Sequence, residues 1–459
     1  MATSKSIFVN SARQHDSFTN NGAITHSTSL DSVLDFFFVA WTLIHKDPSE
    51  YLPLWNKAIS EDFLLSMRCL FWMRDIRWWA WIREAFRNIY DSLPLEDQYH
   101  FLEYIPTYWR WDDVFSVFEK HPKIAKDFLI EQFKNKNPNT FWLFCKWFPR
   151  KGKVFELVRK ELGLTPKELR KIIVENTKVV EQKMSAKEWD NINYEAVPWK
   201  AFNMYKNAFE KHDSERFLNF VWEKPEKIKS SVLWPHELYN SWLRWDKELI
   251  IDEQRKNLPN YINNDESFLP IVDVSGSMYW LPIAVAISLW IYTSERNKSV
   301  FKDAFITFSN RPKMEYLKGT ITQRFNQLSR AHWDMNTNVQ ASFDLILNTA
   351  LENELHQSDL PKSVIIFSDM EFDECGWRQT NYELIKEKFA EAWYDAPKII
   401  FWNLNWREGN LPVRYNEQWT ALVSGFSPSL MTSLLWWEEI SPLKIMMEVL
   451  NSDRYKNIK

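Results

Sequence analysis

The sequence predicts an α + α/β protein, a helical array followed by a domain with a mostly parallel sheet, and three observations carry that prediction. Between about Leu30 and Glu253, apolar residues recur at three- and four-residue spacing in short stretches broken by proline, the period of amphipathic helices. Beyond residue 266, two apolar runs, Leu269–Val272 and Val364–Phe367, each end in an aspartate-bearing loop. That is how buried parallel strands of βα units read. Between the two regimes lies NLPNYINNDE, Asn257–Glu266, polar and turn-forming, which marks the boundary.

Taken in order, the opening MATSKSIFVNSARQHDSFTNNGAITHSTS lacks an apolar core. Residues 1–29 therefore read as a flexible tail rather than a secretory signal or anchor. Residues 30–256 form an irregular helical-repeat array, with helices expected within Leu30–Ile44, Ser60–Met73, Ile82–Ser92, Trp111–Phe118, Ile124–Lys134 and Thr165–Val180. Pro48, Pro53, Pro94, Pro106, Pro122, Pro138 and Pro166 punctuate them, which suits short antiparallel helices without a fixed period. Residues 257–265 are the linker, and 266–459 form the sheet domain.

Composition narrows the function. A chain of 459 residues has room for two or three domains. The formal charge of −4 excludes a uniformly basic nucleic-acid binder but allows a local patch. Cys69, Cys145 and Cys375 are far apart and odd in number, so reduced thiols in the cytoplasm are expected. No membrane span is apparent.

The chemistry is concentrated in three segments: Asp273, Ser275 and Ser277 in IVDVSGSM, Thr337 in WDMNTN, and Asp369 in VIIFSDME. In open α/β sheets, ligands sit outside the carboxyl ends of strands, where Asp273 and Asp369 fall. Two carboxylates with three hydroxyls suit a hard cation, Mg²⁺ or Mn²⁺, that keeps waters and leaves a position for a partner's carboxylate. No Cys or His joins the set, which argues against zinc. Taken alone, Asp-x-Ser-x-Ser also reads as an Asx-turn capping a helix, and the Asn-Thr turn carries no weight by itself. Order and strand context give the set its meaning. Glu371 and Asp373 lie outside it, either favouring cation capture through their charge or forming a solvated acidic loop.

With those residues in view, 266–459 resembles a von Willebrand factor A domain, a Rossmann-like fold with a metal-ion-dependent adhesion site. DVSGS supplies three ligands, Thr337 the second-loop threonine and Asp369 the third-loop aspartate. The resemblance implies a magnesium-dependent, non-catalytic domain whose metal completes its shell with an acidic side chain from a protein partner. The array resembles the TROVE module of Telomerase, Ro and Vault proteins, through RDIR at Arg74–Arg77, YIPTYWRWDDVF at Tyr104–Phe115 and CKWFPRKGK at Cys145–Lys153. KELGLTPKELRKII and WDNINYEAVPWKAF extend the match, which is strongest to an uncharacterised family joining such a module to a von Willebrand factor A domain.

That resemblance implies structured RNA as a partner, in a ribonucleoprotein. The densest basic stretch supplies the candidate contacts: Lys146, Arg150, Lys151, Lys153, Arg159, Lys160, Lys167, Arg170 and Lys171. Glu156, Glu161 and Glu168 interleave, so a mixed solvated helix face is the competing reading. Arg74, Arg77 and Arg110 are secondary candidates, with structural pairing to Asp112 or Asp113 as the alternative. A protein-interaction module without RNA is the second functional reading. An enzyme using Asp273 as a phosphate-accepting nucleophile is a third, disfavoured by serines where a second carboxylate is needed. Nor is there a Walker loop, a dinucleotide fingerprint or a nucleophile elbow.

One count is abnormal. The chain has 8 Gly and 26 Trp, whereas average usage of roughly 7% glycine gives about 32 in this length. Trp78, Trp79, Trp81, Trp280, Trp393, Trp406, Trp436 and Trp437 fall in turn-like settings, and the TROVE-like match carries glycine where this chain has Trp109. Many of these tryptophans are expected to be glycine in the living protein, through a genome that reads UGA as Gly. Trp55, Trp111, Trp142 and Trp189 sit in ordinary amphipathic settings and are expected to be tryptophan.

Overall fold

The computed structural model describes residues 16–75, 82–177, 179–224, 227–228, 235–243, 248–262, 267–279, 281–330, 336–375, 379–405, 410–425, 430–434 and 440–459. The chain divides into two compact units, Arg74–Val232, and Met1–Met73 together with Leu233–Lys459. Helices followed by a mostly parallel sheet are the architecture the sequence predicts, but the partition of the chain differs from the expected one on both sides of the array.

The first difference is at the amino terminus. Strands β1 (Ser17–Phe18) and β2 (Ile24–Thr25) pair antiparallel, so the described part of the expected tail is ordered. Its polar residues are spent on distant backbone: Thr19 Oγ1 donates to the Phe372 carbonyl at 2.7 Å, and His26 and Leu411 exchange two backbone hydrogen bonds of 3.0 Å. Helix α1 (Ser32–Val39) buries every residue after Ser32. A helix buried all round needs cover on every side. It gets that cover within its own unit, where Ser424 Oγ reaches the Phe37 carbonyl at 3.2 Å and Asn403 Nδ2 the Phe38 carbonyl at 3.4 Å. Helix α2 (Pro48–Glu61) opens on a capping box between Asp47 and Glu50. Pro53, expected between helices, lies inside it and costs one ladder hydrogen bond. Helix α3 (Phe63–Arg74) follows. Residues 30–73 thus fold with the sheet rather than with the array.

In the second unit the helices are short: α4 (Arg83–Ser92), α5 (Leu95–Phe101), α6 (Ile105–Tyr108), α7 (Trp111–Lys120), α8 (Pro122–Asn135), α9 (Phe141–Trp147), α10 (Lys153–Glu161), α11 (Pro166–Asn176), α12 (Val180–Ser185), α13 (Trp199–His212) and α14 (Ser214–Glu223). Pro122 and Pro166 open helices at a position whose N–H is unsatisfied anyway. Aromatic side chains weld neighbours together. Phe133 meets Phe141, Phe144 and Phe148 at 5.0–5.7 Å, and Trp111 meets Phe144 at 4.7 Å. Arg74 joins Asp113 at 3.1 Å and Arg87 joins it at 2.9 Å. With Arg74 only 5% exposed, the structural alternative for this arginine is the one the fold uses. Arg77 lies outside the described residues.

The chain returns to the sheet unit with α15 (Pro235–Leu243) and α16 (Glu248–Lys256). Arg255 of α16 pairs with the half-buried Glu295 at 2.7 Å, and both helices belong to the sheet unit rather than the expected array. Six strands follow, β3 (Phe268–Val272), β4 (Ala304–Thr307), β5 (Met314–Tyr316), β6 (Ser363–Ser368), β7 (Lys398–Asn403) and β8 (Thr420–Ser424), in spatial order β5-β4-β3-β6-β7-β8. All pairs are parallel except β4 with β5. Helices α17 (Leu281–Arg296), α18 (Ile321–Arg330), α19 (Val339–Glu352), α20 (Asn381–Glu391), α21 (Met431–Leu434) and α22 (Pro442–Leu450) complete the βα pattern. From β3 the chain runs outward to β4 and β5, then crosses to β6 on the other side of β3. The switch point therefore lies between β3 and β6.

Among the described residues, no helix is long and apolar enough to cross a membrane, and the three cysteines are unpaired. Two tryptophans among the described residues hold left-handed backbone, Trp393 at φ +62° and Trp419 at φ +65°. Trp78, Trp79, Trp81, Trp280, Trp406, Trp436 and Trp437 lie outside the described residues.

Candidate metal site and basic face

At the switch point, register brings the two aspartates together. Val272 pairs with Phe367, and the Asp273 amide donates to the Phe367 carbonyl at 2.9 Å. Asp273 is therefore placed at the carboxyl end of β3 beside Ser368, with Asp369 one residue beyond. Both carboxylates are buried, at 0% and 1% exposure. Asp273 Oδ1 accepts the Ser275 amide at 2.8 Å, and Oδ2 the Ser368 hydroxyl at 2.6 Å. Burial, then the neighbouring Asp369 charge, pushes the Asp273 carboxyl up to about 6, against the pull of the Ser368 and Ser275 hydrogen bonds.

The hydroxyls converge in two groups. Ser275 Oγ and Ser277 Oγ lie 2.9 Å apart, on the turn between β3 and α17. Thr337 is 1% exposed. Its amide donates to Asp373 Oδ2 at 3.1 Å, and its hydroxyl faces the Glu371 carbonyl at 2.5 Å and Asp373 Oδ1 at 2.9 Å. These bonds join the second and third loops, and within the third Glu371 gives its amide to Asp369 Oδ1 at 3.2 Å. Between them Met370 takes φ +66° while buried, a strained turn of the kind that persists at functional loops.

As a donor set, this arrangement fits a small hard cation. Two buried carboxylates side by side repel each other unless a proton or a cation lies between them, and hydroxyls are ligands that Mg²⁺ and Mn²⁺ accept. Among the described residues, no group of three or more His, Cys, Asp and Glu could hold a metal.

Several partners of the site were not visible in the sequence. Glu371 is only 3% exposed, so a solvated loop does not describe it. Its carboxylate accepts the Asn20 amide at 2.7 Å, Asn20 Nδ2 at 3.2 Å and Asn410 Nδ2 at 2.5 Å. Asn21 Nδ2 donates to Thr337 Oγ1 at 3.0 Å and to the Glu371 carbonyl at 2.7 Å. Asn405 Nδ2 reaches the Ser277 carbonyl at 3.2 Å. Contacts spanning more than 300 residues leave no local signal, and asparagine in a polar opening segment reads as solvent-facing.

On the helical unit, the nine basic candidates separate into two kinds. Arg150 donates to the Cys145 and Phe148 carbonyls at 3.0 and 2.5 Å, Arg159 pairs with Glu156 at 2.8 Å, and Arg170 stands 5.2 Å over the Phe155 ring. Lys171 lies 3.8 Å from Glu175. Lys151, Lys153, Lys160 and Lys167 are exposed, as is Lys146, which lies 5.9 Å from the Trp147 ring. The interleaved acids are occupied elsewhere: Glu156 by Arg159, Glu161 by Lys126 at 3.0 Å, and Glu168 by the Thr165 cap at 2.7 Å. Among the histidines, His236 is buried and held down to about 4 by desolvation, and His212 stacks on Trp189 at 4.6 Å.

Two family models match the chain, both described as domains of unknown function: DUF2828 over residues 125–266 and DUF7788 over residues 267–456. They meet where the polar stretch Asn257–Glu266 ends. The chain is similar to Uncharacterized protein L728 of Acanthamoeba polyphaga mimivirus, 26% identical over 499 residues, covering 95% of this chain and 87% of that protein. Among solved structures, the Deinococcus radiodurans RO (RSR) protein aligns with 93% of this chain and 100% of its own, at 13% identity and a TM-score of 0.41.

Proposed function

We propose that the protein is a non-catalytic scaffold that binds a partner's acidic side chain through Mg²⁺ or Mn²⁺ and holds structured RNA on its helical unit. The observation that carries the first half is the pair of buried aspartates at the switch point, Asp273 and Asp369, with Ser275 and Ser277 within reach of each other. When bound, the cation supplies an open coordination position for the partner's carboxylate, while Asp273, Ser275, Ser277, Thr337 and Asp369 hold it. The test is calorimetry with Mn²⁺ on the full chain: binding is expected for the wild type and lost in Asp273→Ala, and equal affinity in the two refutes the site.

RNA binding rests on Lys146, Lys151, Lys153, Lys160 and Lys167, whose intervening carboxylates are engaged by other groups. Crosslinking and sequencing of RNA bound in native cells is expected to enrich discrete transcripts; background levels count against it. A second reading, protein binding without RNA, is favoured by the apolar side chains this unit leaves exposed, Met204 at 63% and Trp222 at 67%.

We also infer that glycine is the natural residue at several tryptophan positions. Trp393 is the residue after the α20 cap. Its amide donates to the Ala390 carbonyl at 3.1 Å and that of Tyr394 to Phe389 at 2.9 Å, the Schellman pairing in which glycine takes the left-handed place. Trp109 lies 3.6 Å from the Phe86 ring at 62°, and Trp290 lies 4.0 Å from Phe305 at 66°. Aromatic pairs normally keep about 4.5–7 Å between centroids. Trp55 and Trp111, by contrast, meet Phe36 at 5.3 Å and Phe144 at 4.7 Å, as ordinary core tryptophans do. Mass spectrometry of the native protein decides the point: glycine is expected at 109, 290, 393 and 419, and intact tryptophan at 393 and 419 defeats the inference.

A further inference from the structure

We propose that the amino-terminal β1–β2 hairpin is a working part of the metal site: Asn21 orients the Thr337 hydroxyl and Asn20 holds the Glu371 carboxylate aside, so hairpin docking and cation binding are linked. The inference rests on the cation reading of the five-residue set. A threonine hydroxyl has one proton and two lone pairs. In this structure the proton faces the Glu371 carbonyl and Asp373 Oδ1, and one lone pair accepts Asn21 Nδ2 at 3.0 Å. The remaining lone pair is the one a cation takes, and its direction is set once the other three contacts are made.

Asn20 acts on the neighbouring charge. Glu371 is two residues from Asp369, and a carboxylate so near would compete with a partner's for the cation. Two N–H groups of Asn20 and one of Asn410 hold both of its oxygens, which satisfies the buried group and fixes where it points. Asn20 and Asn410 are neutral donors, so they add no positive charge of their own beside the metal. The hairpin is locked to the same loop by further bonds, from Thr19 Oγ1 to the Phe372 carbonyl at 2.7 Å and from the Glu374 amide to the Asn21 carbonyl at 3.3 Å. Residues that orient metal ligands in this way typically change affinity by about 10–100-fold when removed.

Linkage makes the proposal testable in two directions, because a hairpin that tightens metal binding must itself be tightened by the metal to the same degree. On the full chain, Asn21→Ala is expected to weaken Mn²⁺ binding about tenfold with an unchanged far-UV spectrum. In the wild type, Mn²⁺ is expected to slow hydrogen exchange at the Asn20 and Glu374 amides, and to leave it unchanged in Asp273→Ala. A merely structural hairpin shows no such metal dependence. If Asp273→Ala binds Mn²⁺ like the wild type, the metal site itself fails. If Asp273→Ala loses binding while Asn21→Ala stays within about twofold and the exchange rates ignore Mn²⁺, the hairpin's role is overturned and the site stands.

Discussion

Replacing Trp393 by glycine should stabilise the protein, and the size of the gain follows from the backbone. An L-residue in the left-handed region carries roughly 1–2 kcal/mol of strain that glycine escapes. Trp393 is at φ +62° and 96% exposed, so removing the indole exposes almost no apolar surface that folding had covered. Against this, glycine's freer unfolded chain gives back about 0.4–1 kcal/mol. The net expectation is a gain of about 0.5–1 kcal/mol. In a unit of this size that is a rise of about 1–2 °C in melting temperature, measurable by calorimetry on the unit's own transition. Trp393→Ala is the control, because its Cβ keeps the strain. The reasoning is refuted if Trp393→Gly is no more stable than Trp393→Ala, or if both fall below the chain with Trp393.

Other predictions follow from buried charges and exposed lysines. Asp35 accepts the Ser29 amide at 2.7 Å and the Thr28 hydroxyl at 2.5 Å, yet burial raises it from 3.8 to about 6. Its stabilising contribution is therefore complete below about pH 4 and lost as pH rises through about 6. Between those limits Asp35→Asn should gain on the wild type by about 2–3 kcal/mol in urea titrations, and parallel pH profiles would dismiss the shift. Arg74→Ala strands part of the buried Asp113 charge and should cost about 3 kcal/mol in urea unfolding; a loss below about 1 kcal/mol would show Arg87 sufficient by itself. Reversing Lys151, Lys153 and Lys160 to Glu should lower RNA affinity and reduce the slope of log K against log salt by about 2–3 in filter binding, while leaving Mn²⁺ affinity alone. An unchanged slope would remove these lysines from any RNA interface.

By itself, the sequence determined whatever depends on local period and chain order. Leu269–Val272 and Val364–Phe367 are strands because their apolar runs are too short and too continuous for anything but a sheet covered on both faces. Asp273 and Asp369 leave those strands at the ends where α/β sheets place ligands, and proline positions such as Pro122 and Pro166 announce helix starts. The Trp393 turn was legible too, since a helix end asks for a left-handed residue whatever occupies it. Tertiary structure alone decided which elements share a core. The periodicity of SVLDFFFV says helix, but only packing assigned α1 to the sheet unit, because a mostly apolar surface names no particular partner. It likewise decided the role of Asn20 and Asn21. Polar side chains in an opening segment cannot be told from solvated ones until distant carbonyls and carboxylates are brought within 3.2 Å. Hydrogen bonds act over a few ångströms of space and leave no trace along 350 residues of chain.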